Sequence, residues 1–143
     1  MGSTYQSIII DLPPARVWES IRNFHDLRWS PNVITSLEKV GELGGDQIGA
    51  RRVLNGVFHE TLHELDDNGH TFSYSIDDAP SPISSDEISA FVGRVTVQPS
   101  PDGDGALVEW TSTWQGNDEA GYEFCHPIYV ALLADMKASL EGG

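Results

Sequence analysis

One long amphipathic helix closes a chain that otherwise reads as strands and turns. Over residues 124–140 the apolar side chains fall at Phe124, Ile128, Leu132, Met136 and Leu140, with Tyr129 and Leu133 widening the stripe. That i, i+4 spacing sets them on one helical face. A lone helix of this kind has to bury its stripe. The only large partner that the rest of the sequence offers is a sheet, and a sheet curved around one helix can enclose a pocket.

The strand signals run in order. Residues 5–11 read as a first strand, and Pro13-Pro14 then open a short helix whose buried face is Val17, Trp18, Ile21 and Phe24. A second short turn or helix over residues 27–31 stops at Pro31. Six further strands are expected over residues 34–40, 50–54, 58–65, 70–76, 88–97 and 107–114, separated by Gly, Asn, Asp and Pro clusters. Asn55-Gly56 is a hairpin-turn signal. Short loops between consecutive strands imply an antiparallel meander. The expected fold class is α+β: about seven antiparallel strands curved around a long C-terminal helix, with two short helices after the first strand. One domain spanning residues 1–143 is expected, since nothing repeats and the length suits a single core.

Composition excludes several functions. Asp and Glu total 22 against 8 Lys and Arg, a formal net charge of −14. Such a surface repels nucleic acid and anionic membranes. No stretch is apolar for long enough to span a bilayer, so no membrane insertion is expected. No secretory signal is read at the start, and Gln6 stands where a myristoylation motif needs Ser or Thr. Cys125 is the single cysteine, which rules out an intrachain disulfide and fits a reducing, cytoplasmic setting.

A set of landmarks then lines up in order: Val17-Trp18, Trp29-Ser30-Pro31, Gly49-Ala50-Arg51-Arg52, Glu60-Thr61-Leu62, Leu65-Asp66-Asp67, residues 72–76, residues 95–99, and Val108-Glu109-Trp110. By these landmarks nearly the whole chain resembles the helix-grip superfamily. That group includes START lipid-transfer domains, birch-pollen-allergen-like proteins, polyketide cyclase/dehydrase-like proteins and the plant abscisic-acid receptors. The resemblance implies a cavity between sheet and terminal helix, lined by Glu60, Tyr74, Phe91, Glu109, Phe124, Ile128 and Leu132. The chain departs from the hormone receptors. Thr35 stands where their ligand-binding Lys is expected, and the short Asn55-Gly56 turn replaces their gate loop. The cyclase-like or lipid-binding branch is the better comparison.

Alternation adds candidates. Phe58, Glu60 and Leu62 share one face of their strand, and Tyr74 and Ile76 share another. Glu60 is the sharpest of them, because burial in a pocket raises a carboxyl pKa and makes it a usable general acid or base. On the last strand two phases compete. Burial favours Val108, Trp110, Ser112 and Trp114 inward. The resemblance favours Glu109, Thr111 and Thr113 inward, and the reading leans towards Glu109. Tyr74 needs a hydrogen-bond partner if buried. His59 and His63 sit on the face opposite Glu60, where two His alone do not complete a metal site, so neither a metal nor a cofactor is expected. Cys125 and His126 diverge on a helix and do not form a nucleophile–base pair. Pro127 marks a bend, with a portal expected near His126 and Tyr129.

The expected function is binding or transport of a small hydrophobic ligand, lipid-like, aromatic or polyketide, by a monomer or homodimer. The alternatives are a cyclase/dehydratase-type enzyme, in which Glu60 or Glu109 moves protons while Tyr74 orients a carbonyl, and a partner-binding regulatory domain.

Overall fold

The computed structural model of the protein describes residues 1–142. Strand β1 (Gly2–Ile10) leads into helix α1 (Pro14–Ile21). Strands β2 (Leu37–Val40), β3 (Arg51–Leu54), β4 (Phe58–Asp66), β5 (Thr71–Asp78), β6 (Ser89–Pro99) and β7 (Ala106–Gln115) follow, and helix α2 (Asp118–Gly142) closes the chain. All seven strands form one antiparallel sheet in the order β1-β7-β6-β5-β4-β3-β2. From β2 to β7 each strand pairs with its neighbour in sequence. Only β1 crosses to the far edge, so α1 and residues 22–36 must span the interior side of the sheet.

The residues explain the elements. Along β7 burial alternates strictly, with Ala106, Val108, Trp110, Ser112 and Trp114 inward, the period of a strand with one covered face. Register shifts in the β4–β5 pairing at Glu60 and Leu62, and at the start of β6, add the local bends that curve a sheet. Helix α1 starts at Pro14 and buries Val17, Trp18 and Ile21. Asp67 in the β4–β5 turn accepts the Trp18 indole N–H at 2.9 Å and the Arg22 Nε–H at 2.7 Å, which ties α1 to the sheet.

Of the two expected short helices only the first is helical. The segment after it is a run of turns, closed by Ser30 N–H to the Leu27 carbonyl and Ile34 N–H to the Ser30 carbonyl. Pro31 lacks the N–H that a regular helix there would need.

Helix α2 starts six residues before the expected stripe and runs through Pro127. Its buried line is Cys125, Tyr129, Leu132, Leu133 and Met136, while Phe124, Ile128 and Leu140 are half-buried on the flank. The helix is therefore rotated by about one residue from the predicted stripe.

Candidate functional site

Between α2 and the inner face of the sheet lies an apolar cavity of about 60 Å³, room for a few water molecules. Three groups of residues bound it. Helix α2 contributes Phe124, Cys125, Ile128, Tyr129 and Leu132. The sheet contributes Arg52, Leu54, Phe58, Glu60, Tyr74, Ile76 and Trp110. The turns contribute Leu27, Trp29, Val33 and Ile34 as a roof, together with Asn55 and Ile83. Along its wall the half-buried rings of Phe58 and Phe124 stack with centroids 6.3 Å apart.

The inner end is polar, and most of its groups are hydrogen-bonded to one another. Arg52 and Glu60 are cross-strand partners in the β3–β4 register. Their side chains are only 4% and 7% exposed. Arg52 Nε donates to Glu60 Oε1 at 2.8 Å, and Nη2 approaches the same oxygen at 2.6 Å. Nη1 donates to the Phe24 carbonyl at 2.9 Å, and the guanidinium lies 3.7 Å over the Phe24 ring. This geometry suits a buried ion pair, which stays tolerable only when hydrogen bonds satisfy both partners. Burial raises the pKa of Glu60, and the adjacent Arg52 charge pulls it back.

Beside this pair the Trp110 indole N–H donates to Tyr74 Oη at 2.9 Å, and Tyr74 Oη meets Tyr129 Oη at 2.8 Å. Burial raises both phenols well above the usual tyrosine range. They are neutral hydrogen-bonding groups at any physiological pH. Burial also pushes the Cys125 thiol up to about 12. It stays a thiol and is no nucleophile near neutrality.

Two side chains hold the roof. Asp135 on α2 is buried and accepts from Ser30 Oγ at 3.0 Å, Asn32 N at 2.9 Å, Asn32 Nδ2 at 2.9 Å and Val33 N at 3.2 Å. Burial opposes its ionisation, but these donors outweigh that and hold its pKa below the usual carboxylate range. Asn55 accepts from Thr35 N at 2.8 Å and donates to the Val33 carbonyl at 3.0 Å.

The structure brings Phe58, Glu60, Tyr74, Ile76, Phe124, Ile128, Tyr129 and Leu132 to this one cavity. It places three other candidates elsewhere. Leu62 is the next inward residue after Glu60, but it does not line the cavity and is fully buried core. Phe91 stacks flat on Trp114, centroids 5.5 Å apart, and is core as well. Glu109 lies on the outer face of β7, hydrogen-bonded to Tyr5 and Gln98, because the large apolar side chains of Val108, Trp110 and Trp114 take the inner phase. The expectation of Glu109 in the pocket is thereby corrected.

His59 and His63 face outward and are exposed; His63 Nε2 lies 2.8 Å from Ser75 Oγ. His126 does not line the cavity, and Tyr129 lines it as a buried residue.

The sequence singled out neither Arg52 nor the roof as part of the cavity, and of the two competing phases of β7 it is the burial-favoured one, with Trp110 inward, that the structure shows. One signal for Arg52 was legible. Three residues, Asn55 to Val57, separate the paired Leu54 and Phe58, so Arg52 faces Glu60. A two-residue Asn-Gly turn would have set Arg52 opposite His59 instead.

Comparison with known proteins adds an independent line. The family described as polyketide cyclase / dehydrase and lipid transport matches residues 1–141. A solved protein from Nitrosospira multiformis is 42% identical, with a TM-score of 0.93 over 96% of this chain and 95% of that one. XoxI from Bacillus cereus is 25% identical, with a TM-score of 0.79 over 98% of this chain and 96% of its own. A Thermobifida fusca protein at 24% identity and TM-score 0.78, covering 99% and 96%, shares the fold. No curated protein matches the chain.

Proposed function

This chain belongs to the polyketide cyclase / dehydrase and lipid transport family, and from that premise we propose that it binds a small hydrophobic molecule in the cavity between α2 and the sheet. The observation that carries the reading is an apolar space whose few polar groups are mostly hydrogen-bonded within the protein. Leu54, Phe58, Ile76, Phe124, Ile128 and Leu132 present hydrocarbon, the kind of wall that small-molecule pockets use. The volume is smaller than a ligand of that class needs, so side chains have to move on binding, and at the half-buried Phe58–Phe124 pair such movement costs less packing than in the buried core.

A proton-transfer enzyme is less well supported. Its three candidates do not converge. Glu60 is held by Arg52, Tyr74 is held by Trp110 and Tyr129, and Glu109 is on the other face of the sheet. General acid–base work needs a group within hydrogen-bond reach of the substrate proton and free to exchange it.

The test is native mass spectrometry of the protein purified from its own host, with thermal-shift screening against naphthalene derivatives, long-chain alcohols and phospholipids. A co-purifying small molecule, or a shift that Ile128→Trp abolishes by filling the cavity, is the expected result. If Ile128→Trp retains the same shift with the same compound, binding is elsewhere and the proposal fails.

A further inference from the structure

The polar end of the cavity constrains the charge and the hydrogen-bonding character of whatever enters. Resting on the binding reading above, we infer that the ligand is uncharged and carries a hydroxyl, as a phenol or an alcohol does, and that this hydroxyl docks against Glu60.

Charge comes first. Arg52 and Glu60 are the only oppositely charged side chains among the residues that line the cavity, the buried phenols and thiol being neutral, and they neutralise each other. A carboxylate would enter a low-dielectric space with no spare cation and would face the Glu60 carboxylate. An ammonium ion would find Glu60 already paired and would leave a net positive charge buried with it. Desolvation penalises both without compensation.

Hydrogen-bonding capacity comes second. Both Arg52 contacts go to Oε1 of Glu60, and among the described residues Oε2 accepts no hydrogen bond from the protein. A charged carboxylate oxygen is a strong acceptor with room for more than one donor. The phenols hold no spare donor: Tyr74 and Tyr129 share one hydrogen bond, Trp110 donates to Tyr74, and the buried Ser112 hydroxyl stands within reach of Tyr129. The cavity therefore offers one open acceptor. A hydroxyl is a neutral group that can donate to it. A carbonyl and a hydrocarbon cannot.

Three probes of one skeleton test this near neutral pH: naphthol, which is uncharged there, naphthoate, which is ionised, and naphthalene. Binding is read by calorimetry or by quenching of tryptophan fluorescence. Naphthol is expected to bind about tenfold or more tighter than either of the others, the effect of one hydrogen bond to a charged acceptor. In Glu60→Gln the Arg52 charge loses its counter-charge, and the preference should turn towards naphthoate. Should that variant not fold, the double variant Arg52→Met/Glu60→Met removes both charges together, and naphthol should then lose its advantage over naphthalene. Naphthoate binding to the native protein as tightly as naphthol overturns the inference while leaving a hydrophobic-ligand cavity intact. Failure of all three to bind overturns the cavity reading and this inference with it.

Discussion

Tyr74 reaches Trp110 and Tyr129 because the residue beside it on β6 has no side chain. Gly93 is the register partner of Tyr74, and a Cβ there would lie 2.3 Å from Tyr74 Cζ and 2.5 Å from its Oη. The ring lies across β6, over that glycine, and so delivers its hydroxyl to β7 and α2. A glycine in mid-strand is usually a weakness, and here it marks a close approach. Gly93→Ala should cost about 1–3 kcal/mol by forcing the ring off its place. Urea unfolding measures the loss. Near-ultraviolet dichroism should change as well, because the Trp110 indole loses its partner. An unchanged near-ultraviolet spectrum would show that the tyrosine sits elsewhere.

At the scale of elements, the cavity depends on a loop that makes no sheet. Residues 27–36 roof it, and they are held by one helix side chain, Asp135, and one turn side chain, Asn55. Asp135→Ala leaves the Asn32 and Val33 amides without their acceptor and should cost about 2–4 kcal/mol, the range for losing buried hydrogen bonds to a charged group. Hydrogen exchange should show those two amides losing protection while the β6–β7 ladder keeps it. The pH dependence follows from the sign of the shift. The folded pKa of Asp135 is lowered, and the unfolded value is about 3.9. Its contribution is therefore fully present above about pH 4 and is lost as pH falls through the lower folded value. Asp135→Asn should flatten the stability profile in that acid window and leave the slope above it unchanged.

At the scale of the whole molecule the dominant quantity is the net charge of −14. Among the described residues most acids have no basic partner; the ion pairs at Arg22–Asp67, Arg28–Asp26, Arg94–Glu64 and Lys137–Glu141 are all partly exposed, and exposed pairs contribute little. Self-repulsion is then the net electrostatic effect of folding, and salt screens it. The melting temperature should rise by several degrees between about 0.01 M and 0.15 M neutral salt, where the screening length falls from roughly 30 Å to 8 Å. A melting temperature that fell with salt would mean that attractive pairs outweigh the repulsion.

Local chemistry in the sequence determined the element types, their order and most of the inward faces. Period-two and period-four hydrophobic patterns depend only on neighbours along the chain, and Phe58, Glu60, Tyr74, Ile76 and the α2 stripe followed from them. Tertiary packing decided which inward residues border space and which are core. Leu62 and Phe91 have the same alternation as Glu60 and Tyr74, yet both are packed into the core, Phe91 flat against Trp114. It also decided the phase of β7, since Glu109 and Trp110 compete for one face and the larger apolar burial wins. Most of all it decided that Asp135, an acid within an apolar helical stripe, fixes a loop about a hundred residues earlier in the chain. No pattern along the chain encodes such a contact, because its energy exists only when both segments have been brought together.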